Sequence, residues 1–126
     1  MEIIITDIIF KPYVRMTQRS KWVNPQAKEY LRSKGNLRDN MAAYMFNHKL
    51  EMMPAHVPLR IYLYLYVPSS PGHRCDLDNQ IKAILDAGNK TMYPDDRWID
   101  KIQAERMIGG PDSQIVICLN RLVKLP

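Results

Sequence analysis

The nine residues LRIYLYLYV, Leu59 to Val67, constrain the fold of this chain more than any other stretch. Leu59, Ile61, Leu63, Leu65 and Val67 alternate with Arg60, Tyr62, Tyr64 and Tyr66. Successive side chains of a strand leave opposite faces, so a period of two puts all five aliphatic groups on one side. Such a strand belongs in a sheet with a core against that side. The tyrosine side offers rings that can stack on bases, but a half-buried face covered by a helix is the simpler expectation.

The remaining elements follow from local signals. Glu2 to Phe10 is rich in isoleucine and reads as a first strand. Lys11 to Val23 is basic and aperiodic, an extended arm or loose hairpin. Asn24 is placed to cap a helix and Pro25 to begin it, with Gly35 at its end. A second helix is expected from about Leu37 to Met53, stopped by Pro54. Its stripe of Met41, Tyr44, Met45, His48 and Met52 reads as core. A further helix is expected from Asn79 to about Gly88, with Ile81, Ile84, Leu85 and Gly88 on its apolar side. Arg97 to Ile108 and Gln114 to Leu122 read as strands, with GGPDS between them as a hairpin turn. The whole is an α+β fold, a small mixed or antiparallel sheet packed against helices, in a single domain of 126 residues.

Composition narrows the function. No apolar run is long enough to span a bilayer, so no membrane partner is expected. MEIIITD has an early acid and no basic n-region, so a strand is expected there, not a signal peptide, and the cytoplasm is the expected compartment. Cys75 and Cys118 are too few for a disulfide framework or a zinc site, and His48, His56 and His73 form no ligand pattern. The formal net charge is +5. Lys11, Arg15, Arg19, Lys21, Lys28, Arg32, Lys34 and Arg38 face only Glu29 over that stretch, an excess that suits a polyanion or a solvated basic face.

Against that basic background, DLDNQIKAILDAGNKTMYPDDRWID gathers Asp76, Asp78, Asp86, Asp95, Asp96 and Asp100. Asp76 and Asp78 leave one face if the chain is extended there. A helix running out and a strand returning can bring them to Asp95 and Asp96. Carboxylates at contact distance repel, and a proton, a basic partner or a bound cation relieves them. Hard oxygen donors suit Mg²⁺ or Mn²⁺. Each acid also has a simpler role. Asp78 can cap the helix, Asp86 can pair with Lys82 or Lys90, and Asp95 and Asp96 can be turn residues after Pro94. An EF-hand from Asp76 is excluded by Ile81 and Ala87 where Gly and Glu are needed. There is no GKS/T loop, GxSxG or HExxH.

The stretch resembles the signature of the RusA family of Holliday-junction resolvases, on Asp76, Leu77, Asp78, Asn79, Lys82, Asp86, Ala87, Tyr93, Asp95 and Asp96. The resemblance implies a homodimeric, Mg²⁺-dependent endonuclease acting on four-way DNA junctions, with Mn²⁺ as a possible substitute. It implies that Asp76, Asp78 and Asp96 hold the metal and that Lys82 is the essential lysine. It also implies DNA contacts through Arg15, Arg19, Lys21 and Arg74. This chain has only Arg74 just before Asp76, where the family often carries a basic run. Two rival readings are a DNA-binding protein with a structural cation and a nuclease for flaps or RNA.

Overall fold

The aliphatic side of the alternating strand lies in the middle of a four-stranded mixed sheet, beneath two helices. The computed structural model describes residues 1–6, 25–69, 76–110 and 112–123 (side chains of 26 and 27 excepted). In chain order the elements are β1 (Glu2–Thr6), α1 (Pro25–Asn47), β2 (Leu59–Pro68), α2 (Leu77–Gly88), a 3₁₀ turn (Asp96–Trp98), β3 (Ile99–Gly110) and β4 (Gln114–Arg121). The sheet order is β1-β4-β2-β3. β2 pairs parallel with β3 and antiparallel with β4, and β1 is antiparallel to β4.

The alternation in β2 holds throughout. Leu59, Ile61, Leu63, Leu65 and Val67 are buried, and Ile3, Ile5, Ile115, Ile117 and Leu119 extend the same apolar layer across β1 and β4. Tyr30, Leu37, Met41 and Met45 of α1 and Ile84 and Ala87 of α2 are buried with them. The tyrosine side differs from expectation. Tyr62 and Tyr64 are half-buried and Tyr66 is exposed, and both described helices lie on the other face.

Two further expectations are corrected. Pro25 does begin α1, but the helix continues through Gly35 to Asn47 as one element. Tyr30, Leu37, Met41 and Met45 recur in helical phase across the glycine, and their burial outweighs the ~1 kcal/mol that glycine costs in a helix. The end is not made by Pro54. Lys49 takes a left-handed φ of 54°, and the Leu50 and Lys49 amides donate to the Met45 and Phe46 carbonyls at 2.8 and 3.3 Å. This is a Schellman-type stop built on a lysine.

The second correction concerns GGPDS. Gly109 takes a φ of 128°, which favours glycine, and the chain reverses there. Yet β3 and β4 do not pair, because they lie on opposite sides of β2. A turn motif fixes a reversal, not the neighbour that the next strand finds. β2, with five buried aliphatic groups, takes the centre. β3 carries Asp100, Lys101 and Glu105 and exposes Ile102, Met107 and Ile108, a composition suited to an edge.

Candidate active site

α2 starts two residues earlier than the sequence suggested, and this changes the acidic pair at its head. Asp76 is the extended N-cap, its carbonyl accepting from the Gln80 amide at 3.1 Å. Its carboxylate makes no capping hydrogen bond and is exposed. Asp78 lies in the first helical turn, also exposed, so it is neither the cap nor part of an extended Asp-x-Asp segment. Both carboxylates sit where unpaired helical N–H groups favour negative charge. Lys82 follows Asp78 by one turn and precedes Asp86 by one, as the spacing implied.

The other end of α2 is fixed from three sides. The Arg38 guanidinium donates from Nε to the Ala87 carbonyl at 3.2 Å and from Nη2 to the Asp86 carbonyl at 3.1 Å. A cation on the terminal carbonyls complements the helix dipole. The Tyr30 hydroxyl donates to Asp86 Oδ2 at 2.9 Å. The Tyr93 hydroxyl donates to the Leu85 carbonyl at 2.8 Å. Gly88 leaves no space here: a Cβ would meet Met92 Cε at 2.5 Å and the Tyr93 hydroxyl at 2.6 Å.

This packed end carries the 3₁₀ turn. Asn89 ends the helix, and its Oδ1 accepts from the Asp96 amide at 2.8 Å. Asp95 caps the turn, its Oδ1 accepting from the Arg97 amide at 2.9 Å and its Oδ2 from Arg97 Nη2 at 3.3 Å. Those hydrogen bonds hold its carboxyl below the usual range. Asp96 moves the other way. Partial burial, then the adjacent Asp95 and then Asp86 push its carboxyl up. Tyr93 is buried among the same three acids, and burial first, then their charges, keep its phenol protonated well above the ordinary tyrosine range.

The structure therefore gathers Asp86, Asp95 and Asp96 into one negative field. Asp76 and Asp78 lie along the helix from Asp86 by about 15 and 12 Å of axial rise. Among the described residues, no three Asp, Glu, His or Cys side chains form a group able to hold a metal ion alone. A Mg²⁺ ion needs less, because it keeps several waters and is held by one or two carboxylates with substrate phosphates. The expected meeting of Asp76 and Asp78 with Asp95 and Asp96 is not made in this structure. What fits such an ion is the all-oxygen donor set and the crowding of Asp96 by like charge.

Arg15, Arg19, Lys21 and Arg74 lie outside the described residues. Tyr30, Arg38 and Asn89 are supporting residues that the sequence reading did not single out for the site. Arg38 stood in the basic run, but its guanidinium serves the end of α2. Nothing local marks Tyr30, since its partner is 56 residues away.

A family model described as Endodeoxyribonuclease RusA matches residues 11–119, most of the chain and all of the elements just described except β1 and the end of β4. Comparison with curated proteins gives no match.

Proposed function

The chain belongs to the RusA endodeoxyribonuclease family, and from that membership we propose how its side chains cut DNA. The enzyme hydrolyses phosphodiester bonds in Holliday junctions. In our reading the reaction depends on a divalent cation, Mg²⁺ or Mn²⁺, held by Asp76, Asp78 and Asp96, which the free protein keeps apart and which a phosphate of the bound junction draws to one ion. When bound, such a cation stabilises charge on the reacting phosphate and supplies a hydroxide-like water.

The observation that carries this reading is the state of Asp96. Asn89 fixes its backbone, and partial burial, then Asp95 and then Asp86 push its carboxyl up, a crowding that a bound cation relieves. Asp76 and Asp78 are exposed at the N-terminus of α2, where negative charge is favoured. Lys82 binds a non-bridging oxygen or the leaving 3′ oxygen, where negative charge develops. Arg15, Arg19, Lys21 and Arg74 supply backbone affinity that falls steeply with salt. A twofold homodimer, acting in the cytoplasm, presents two such sites to opposed strands.

The test is one cleavage assay with four-way junction, linear duplex, flap and RNA substrates, with and without Mg²⁺. The expected result is paired nicks in the junction, only with the cation. Asp96→Asn should bind the junction and leave it uncut. Cleavage by that variant at the wild-type rate would remove Asp96 from the mechanism.

A further inference from the structure

The open face of the sheet carries a cluster that the cleavage site does not use. Arg60 of β2 stands in register beside Lys101 of β3. Like charges directly opposite one another weaken a sheet. Among the described residues neither forms an ion pair. The carboxylates in register on that face are Glu105, beside Tyr64, and Glu2, across β4, and exposed Asp100 lies in the register shift just before Lys101.

Both cations converge on Tyr62. Arg60 Cζ lies 5.3 Å and Lys101 Nζ 5.7 Å from its ring centroid. A hydrogen bond from Lys101, reinforced by both charges, holds the phenol below its usual range. Arg60 Nε is shielded from water without a hydrogen-bond partner. A guanidinium, an ammonium and a phenol thus share one spot with excess donors and no anion.

We propose that Arg60, Tyr62 and Lys101 form a second phosphate-binding patch, which grips the backbone of a junction arm outside the cleavage site. Charge selects the occupant, because two neighbouring cations with no ion-pair partner among the described residues match a phosphate and not an apolar protein surface. Reach agrees. Lys101 follows Asp96 by five residues, at most about 18 Å of extended chain. A duplex strand advances about 3.4 Å per nucleotide. An arm cut beside Asp96 therefore carries a phosphate within roughly six nucleotides of this patch. The proposal rests on the enzyme binding junction DNA, and not on which aspartates cut it.

The test measures anisotropy of a labelled four-way junction in EDTA, where nothing is cleaved, across a range of salt concentrations. Lys101→Glu should weaken binding about tenfold and lower the slope of log K against log salt by about one. Lys101→Gln should fall between that variant and wild type, and Lys101→Arg should keep both affinity and slope. Sedimentation of the same proteins reports their assembly. Unchanged affinity and slope in Lys101→Glu would overturn the proposal. So would a shift in oligomeric mass with an unchanged slope, which would assign the face to a second copy of the chain. Asp96→Asn cutting in the separate nicking assay would fail the cleavage reading and leave this result standing.

Discussion

The two ends of α2 carry acids of the same kind in opposite settings. At the C-terminal end Arg38, Tyr30, Tyr93 and Asn89 hold carbonyls, a carboxylate and the following turn in place. At the N-terminal end Asp76 and Asp78 are exposed, and the Asp76 carboxylate makes no capping bond to its own helix. The contrast separates two tasks. In our reading, packing positions one carboxylate and the crowding around it favours a positive charge, while two exposed carboxylates at the helix start meet a cation that arrives with DNA. Preorganising one side of an open site and leaving the other to the ligand suits an ion that keeps water and shares substrate phosphates.

Substitution at the two ends breaks or sharpens that contrast. The largest effect falls on cleavage. Asp96→Asn and Asp76→Asn should each lower the junction nicking rate about a thousandfold, as judged by single-turnover assays. Asp76→Asn should do so with stability within about 0.5 kcal/mol of wild type in urea denaturation, because no capping bond is lost. In Asp76→Ala, which unlike Asn cannot cap, a stability loss near about 1 kcal/mol would mean that Asp76 is structural after all.

Gly88→Ala tests the clamped end. The new Cβ would collide with Met92 and Tyr93, and overpacking of this kind costs about 1–3 kcal/mol. Urea denaturation should show that loss, together with slower nicking as the Asn89–Asp96 link is displaced. An equally stable variant would show that this end yields.

A smaller effect depends on pH. Folding raises the Asp96 carboxyl, so the folded chain binds that proton more tightly than the unfolded one. Its contribution to stability is full below the unfolded value and is lost as pH rises through the folded value. In metal-free protein, Asp96→Asn should therefore melt above wild type near pH 7, with the gap closing toward about pH 4. Asp95, whose carboxyl is lowered, works in the opposite direction, and its contribution is lost as pH falls. The smallest expected effect lies away from both ends. Apart from its chain neighbours and the helix's own backbone, no heavy atom stands within 4 Å of a Cβ built on Gly35. Gly35→Ala should stabilise the chain by about 0.5–1 kcal/mol in the same denaturation assay.

Local chemistry explains what the sequence disclosed. The β2 alternation, Pro25 at the start of α1 and the stripe of Asp78, Lys82 and Asp86 each depend on neighbours a few residues away, and each is present in the structure. The failures are tertiary. Gly35 looks like a helix end until Tyr30 and Leu37 are seen buried on one stripe. GGPDS looks like a hairpin until β2 is seen to separate β3 from β4. At the site, the acidic residues stand out by their clustering and by the family resemblance, but their separate settings do not. The crowding of Asp96 by Asp86, and the Tyr30 and Arg38 contacts to α2, join segments far apart in the chain.

The central claim is that Asp76, Asp78 and Asp96 serve one divalent cation despite standing in different settings. Mn²⁺ titration of amide NMR spectra, in the presence of uncleavable junction DNA, tests it directly through paramagnetic broadening. The account predicts that the amides of residues 76–78 and 96 broaden together at the same low Mn²⁺ concentration, and that Asp96→Asn abolishes both effects. Asp76→Asn and Asp78→Asn variants in which residue 96 still broadens at the wild-type Mn²⁺ concentration would contradict it.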